Sequence, residues 1–208
     1  MKKPIRTYFV AICLASAATL ANADTAANST TVPAARDWSG FYLGSTYGIR
    51  SGGDMDYVTA GGGTISYSSL EPGKSLGVFA GYNIQRNNLV FGGELAYSRV
   101  NTPGFGPVGF PTETFNYFAD GKVRIGLATG NALVYGFAGY TGSEFTNSAG
   151  SWTVSGANYG IGVDVMVNDR FFVGTEYIIR NLSGATSNPG QTQDTNIRAF
   201  QIRAGLKF

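Results

Sequence analysis

Nine charged side chains stand inside stretches that are otherwise apolar or rich in glycine: Glu94, Asp120, Lys122, Arg124, Asp164, Glu176, Arg180, Arg203 and Lys207. Acids and bases brought together can transfer protons, hold an ion, or pair with one another. Proton transfer lacks its usual agents here. The chain of 208 residues has no histidine and a single cysteine, Cys13. The commonest general base and the commonest metal ligand are therefore missing, and no nucleophile–base constellation can be assembled. Gly61-Gly62-Gly63 is followed by neither Lys-Ser/Thr nor a helical pattern, so it is no phosphate loop. Asp54 and Asp56 read as solvated loop carboxylates. No catalytic residue, metal or cofactor is expected. Pairing is left, and the near balance of four acids against five bases suits it.

The spacing around these charges says how they are held. Strand side chains alternate between faces. In the last segment Phe200, Ile202, Ala204, Leu206 and Phe208 share one face, while Gln201, Arg203, Gly205 and Lys207 share the other. Eight such segments are legible, at about 38–49, 73–85, 89–100, 114–128, 132–142, 153–166, 171–181 and the C-terminal strand. Helical periodicity of useful length is absent. The charges fall on the face of Gly77, Gly81, Gly92, Gly126, Gly160, Gly162 and Gly174. In the fifth segment the pattern sets Leu133, Tyr135 and Phe137 outward against Gly136, Ala138 and Tyr140.

Connections alternate in length. Arg86-Asn87-Asn88, Thr129-Gly130-Asn131 and Asn168-Asp169-Arg170 carry tight-turn chemistry. The others, about 50–72, 101–113, 143–152 and 182–195, are longer. Short turns at one end and long loops at the other are the plan of an outer-membrane barrel. The expected fold is all-β, an eight-stranded antiparallel up-and-down transmembrane β-barrel. Its lipid face would carry two aromatic bands. Tyr47, Tyr97, Tyr117, Tyr159 and Tyr177 would lie towards the loops, and Phe41, Tyr82, Phe91, Tyr135, Phe171 and Phe208 towards the turns. A barrel this narrow is filled by side chains, so the inward charges would form either a plug or a gate.

The first residues agree with export. Lys2, Lys3 and Arg6 precede an apolar stretch from Tyr8 to Leu20 and the small-x-small triplet Ala21-Asn22-Ala23. Residues 1–23 read as a signal peptide, 24–36 as a flexible periplasmic tail and 37–208 as the barrel. Removing the leader takes three of 15 basic residues and none of 13 acidic ones, leaving 12 against 13. The basic excess belongs to the leader, and no surface for nucleic acid follows from it.

Asp37-Trp38-Ser39-Gly40-Phe41-Tyr42-Leu43-Gly44, Gly77-Val78-Phe79-Ala80-Gly81-Tyr82-Asn83, Val123-Arg124-Ile125-Gly126 and Gly205-Leu206-Lys207-Phe208 occur in order along the chain. Together they resemble the small outer-membrane barrel proteins of alphaproteobacteria. That group comprises porin-family surface antigens and haemin-binding proteins, related in architecture to the OmpA membrane domain. The resemblance implies residence in the outer membrane among lipid and lipopolysaccharide. It also implies insertion by the barrel-assembly machinery guided by Phe208, and surface exposure with host or extracellular ligands meeting the loops. The peptidoglycan-binding domain that follows the barrel in OmpA has no counterpart in these residues. Three functions are expected in order: a non-catalytic protein of envelope integrity and surface contact, a narrow channel for ions or small solutes, and a receptor for haemin or another small ligand.

Overall fold

The structure is a computed structural model that describes residues 35–67, 70, 73–100 and 114–208. The leader, tail residues 24–34 and the loop 101–113 lie outside them. Among the described residues nine strands follow in order: β1 Gly40–Val58, β2 Thr64–Tyr67, β3 Lys74–Arg86, β4 Leu89–Val100, β5 Thr114–Thr129, β6 Ala132–Asn147, β7 Gly150–Met166, β8 Phe171–Ala185 and β9 Thr192–Lys207. All pairings are antiparallel: β3 to β9 pair in chain order, β1 pairs with β3 past β2, and β1 also pairs with β9. That last ladder closes a ring of eight strands, β1 and β3 to β9, and closure removes the free sheet edges a membrane cannot tolerate. β2 stands outside the ring, paired with the far end of β1 from Met55–Tyr67 to Val58–Thr64.

The short turns behave as their residues require. Asn87 and Gly130 open two-residue turns with φ of 55° and 54°, a left-handed backbone that Asn and Gly accept most readily. These turns lie at the end where β1 starts and β9 finishes, which in bacterial barrels is the periplasmic end.

The outward face between the aromatic bands is apolar. Leu95 is 72% exposed, Val123 68% and Val78 61%. Side chains of this kind in a continuous belt suit lipid and not water. The expected faces hold along β1, β3, β4, β5, β7, β8 and β9. They do not hold in β6: Leu133, Tyr135 and Phe137 are buried, while Val134 and Tyr140 are exposed. The β6 register is one residue from the expectation, and Tyr135 belongs to the lumen rather than to the lipid girdle.

Two external connections also differ from expectation. Residues 143–152 are mostly strand, with β6 and β7 meeting across Asn147 and Gly150. Residues 182–195 are strand except for 186–191. β1 likewise continues to Val58. These extensions carry their own core, in which Met55, Tyr57, Leu70, Phe115, Phe118, Phe145, Val154, Leu182 and Ile197 pack together. Phe115 and Phe145 meet at 4.9 Å, and Phe145 meets Trp152 at 5.2 Å. Register irregularities lie at the base of the extensions, at Ser51 in β1 and Asn116 in β5. Each adds one residue and exchanges inward for outward parity beyond it.

Candidate functional site

The lumen is built from pairs of large and small residues on neighbouring strands. Tyr135 lies between Gly126 of β5 and Gly162 of β7, and a Cβ at Gly162 would enter the Tyr135 ring. Tyr42 similarly faces Gly81, and Phe172 faces Gly205. Bare backbone beside each ring leaves room for aromatic and cationic side chains inside a narrow cylinder.

Six charges meet at the centre. Lys122 Nζ donates to Glu176 Oε1 at 2.6 Å and to Glu94 Oε1 at 3.2 Å. Arg124 donates through Nη1 to Glu94 Oε2 at 3.0 Å and to the Tyr42 hydroxyl at 2.7 Å, and through Nη2 to Asp164 Oδ2 at 2.9 Å. Arg203 donates to Glu94 Oε2 at 2.6 Å and to Glu176 Oε2 at 2.8 Å, and its Nε lies 3.2 Å from Asp164 Oδ1. The Tyr42 hydroxyl donates to Glu94 Oε2 at 3.1 Å and the Tyr135 hydroxyl to Glu176 Oε2 at 3.3 Å. Three carboxylates thus face three cations, all nearly inaccessible to solvent. The Arg124 guanidinium lies 3.8 Å from the Tyr135 ring centre, and that of Arg203 lies 4.1 Å from Phe79. Such contacts strengthen when desolvated.

A second unit lies towards the loop end. Arg180 grips Asp120 in a fork, Nε to Oδ1 at 3.0 Å and Nη2 to Oδ2 at 2.6 Å. Thr141 donates to Asp120 Oδ1 at 2.6 Å, and Asn158 donates to Thr141 Oγ1 at 2.9 Å. The guanidinium also covers Phe118 at 4.6 Å, joining the charge belt to the apolar core of the extensions.

Eight of the nine charges singled out in the sequence therefore come together in two sign-balanced units. The ninth, Lys207, does not. Its Nζ donates to Asp37 O at 2.5 Å at the periplasmic rim, because its place near the end of β9 puts it beyond the belt. Tyr42 and Tyr135 complete the network as ring and hydroxyl partners that charge alone did not reveal. Arg50, buried at the loop side of β1, was hidden by its assignment to a loop. The remaining residues expected in the girdle, Phe41, Tyr47, Tyr82, Phe91, Tyr97, Tyr117, Tyr159, Phe171 and Tyr177, stay on the outer face, exposed or half-buried. Tyr97 and Tyr117 stack at 5.6 Å, and Phe41 packs on Phe208 at 6.0 Å.

The arrangement holds charges in place by mutual pairing. Glu94, Glu176 and Asp120 each accept from two or more donors, and Asp164 accepts from Arg124 with Arg203 beside it as an ion-pair partner. Among the described residues no group of three or more metal-ligating side chains is assembled.

Several solved structures are similar to this chain. Neisserial surface protein A is 15% identical over 82% of this chain and 98% of its own, with a TM-score of 0.51. The N-terminal barrel of Pseudomonas aeruginosa OprF is 12% identical over 77% and 96%, with a TM-score of 0.42. Ail, the attachment invasion locus protein of Yersinia pestis, is 14% identical over 79% and 99%, with a TM-score of 0.35. No curated protein sequence matches. The family described as the outer membrane protein beta-barrel domain matches residues 9–208. With a closed ring of strands, an apolar belt outside and a polar interior, the chain belongs to that outer-membrane barrel family.

Proposed function

We propose that this chain is a non-catalytic outer-membrane protein with a closed lumen, serving envelope integrity and surface contact through the part of the barrel that rises above the membrane. One observation carries the reading. The bore is occupied from end to end, by Trp38, Phe79 and Phe172 at the periplasmic side, the charge belt in the middle and the Phe115–Phe145 core outside. An eight-stranded barrel has room for side chains and little else. The external extensions have a packed interior and a polar exterior of Asp54, Asn181, Ser183 and Asn196, a stable platform for contact with other molecules. In this reading Phe208 is the signal recognised during assembly, and the outward aromatics hold the barrel at the two headgroup levels.

A second reading, a narrow channel, draws on the shared partners of Glu94, which Lys122, Arg124 and Arg203 all contact. Shared partners can exchange. Planar-bilayer recording decides between the two, on protein whose heat-dependent gel mobility reports a folded barrel. A silent bilayer is expected. Reproducible discrete steps that change with Glu94→Gln would replace the closed-lumen reading with the channel.

A further inference from the structure

The periplasmic mouth is crossed by residues 36–39, which precede β1 and bind two of the turns at that end and the last residues of β3. The Arg36 amide donates to Gly130 O at 2.7 Å, and its guanidinium pairs with Asp169. The Trp38 amide donates to Gln85 Oε1 at 2.8 Å, and the Gln85 amide donates to Ser39 Oγ at 3.0 Å. Lys207 holds Asp37 O from the last strand. This strap drives the Trp38 indole into the bore, where it is 2% exposed and meets the Phe172 ring edge-on at 5.9 Å.

Beneath the indole lies a cavity of about 10 Å³ whose walls include Trp38, Asn83, Arg124 and Asp164. That volume admits about one water. Each of these four side chains has a buried polar atom without a hydrogen bond to protein: Trp38 Nε1, Asn83 Oδ1, Arg124 Nε and Asp164 Oδ1. Asp164 Oδ1 has Arg203 Nε 3.2 Å away, outside hydrogen-bond geometry. Two are donors and two are acceptors. A water molecule offers the complement, two lone pairs and two protons. A bare cation would face two N–H groups, and an anion would face the Asp164 carboxylate.

We propose that this cavity is a single-water site stoppered by Trp38, and that it is where the charge belt meets periplasmic solvent. Towards the outside, Phe118 and the apolar core of the extensions cover the belt, so exchange runs through the Trp38 end. The site stands on its own geometry, whether or not the lumen conducts.

The test uses nitrogen-15-labelled full-length mature protein in nanodiscs, carrying Trp152→Phe so that one indole signal remains. The Trp38 indole N–H should show cross-relaxation with a long-lived water. Asn83→Leu, which removes one acceptor and fills the space, should abolish it while the heat-dependent mobility of a folded barrel persists. Trp38→Ala should speed solvent exchange of the Arg124 Nε–H by about tenfold or more, as expected when a local opening barrier is removed. Should that variant not fold, Asp169→Ala releases the Arg36 guanidinium and loosens the strap without touching the belt or the cavity wall, and it should speed the same exchange more modestly. A folded protein with no water signal at Trp38 overturns the site. Arg124 exchange unchanged in the folded strap variants overturns the stopper.

Discussion

The strands obey one rule between the aromatic bands and the opposite rule above them. Along β9, Phe200, Ile202 and Leu206 face out and Gln201 and Arg203 face in, but further up Ile197 is buried while Asn196 and Arg198 are exposed or half-buried. Along β8, Tyr177 and Ile179 lie outward across from Glu176 and Arg180, and then Leu182 turns inward with Asn181 and Ser183 outward. β1 does the same, from Leu43 and Tyr47 outside to Met55 and Tyr57 inside. The change of solvent explains the inversion. Lipid takes the apolar face, so polar groups must satisfy one another within the bore. Water takes the polar face, so the bore fills with aromatic and aliphatic side chains as in a soluble core. Tyr47, Tyr97, Tyr117, Tyr159 and Tyr177 mark the level at which the rule changes.

The two interiors should fail in different ways. Glu94→Leu leaves Lys122, Arg124 and Arg203 short of a shared carboxylate. Breaking buried pairing of this kind costs about 3–5 kcal/mol. Urea unfolding in lipid vesicles should report a loss of that size for the whole barrel, and a change within about 0.5 kcal/mol would mean that the belt is not structural. Phe145→Ala removes a ring that touches Phe115 and Trp152, a deletion of about 3–5 kcal/mol in a packed core. Its effect should stay local. Amide exchange should accelerate across residues 143–154 while the belt strands remain protected.

The inversion itself can be probed from outside. Val123→Arg, 68% exposed within the apolar belt, should cost about 2–4 kcal/mol near the midplane. Ser183→Arg, outward on the extension, should change stability by less than about 0.5 kcal/mol. Equal penalties would place the water boundary elsewhere. Gly162→Ala would push a methyl group into the Tyr135 ring and should cost about 1–3 kcal/mol through overpacking, seen as a lower urea midpoint.

The smallest effect concerns the strap. The Ser39 amide donates to Asp37 Oδ1 at 2.8 Å. That bond, the Ser39 hydroxyl and the nearby Lys207 hold the Asp37 carboxyl below its ordinary range. The folded state thus favours the ionised acid. Its contribution is present above the ordinary value near pH 4 and is lost as pH falls through the lowered one. Trp38 fluorescence quenching by acrylamide should rise at low pH, and Asp37→Asn should remove that dependence.

The membrane-spanning part was largely legible because one alternation governs it. β9 and β8 could be read face by face from their charges and glycines. β6 misled because both its faces are apolar or small, and bulk alone assigned Tyr135 to lipid. A better signal was available in the glycines: Gly126 and Gly162 stand across from Tyr135 on both sides, and glycine paired with a ring marks a crowded interior. The extensions were mistaken for loops because hydropathy there follows the reversed rule. In β1 and β5 the extra residues at Ser51 and Asn116 also shift the parity. The Phe115–Phe145 core was lost for these reasons, and Arg50, which precedes the extra residue, was lost to the loop assignment alone.

The most direct measurement places a nitroxide at each of Asn196, Ile197, Arg198, Ala199, Phe200, Gln201 and Ile202, one cysteine at a time in residues 24–208, which lack Cys13. Collisions with oxygen and with a water-soluble nickel chelate are then recorded. Oxygen contact is expected at Phe200 and Ile202, chelate contact at Asn196 and Arg198, and neither at Ile197, Ala199 and Gln201. Chelate contact at Gln201 and Ala199 would reveal a water-filled bore and contradict the closed lumen.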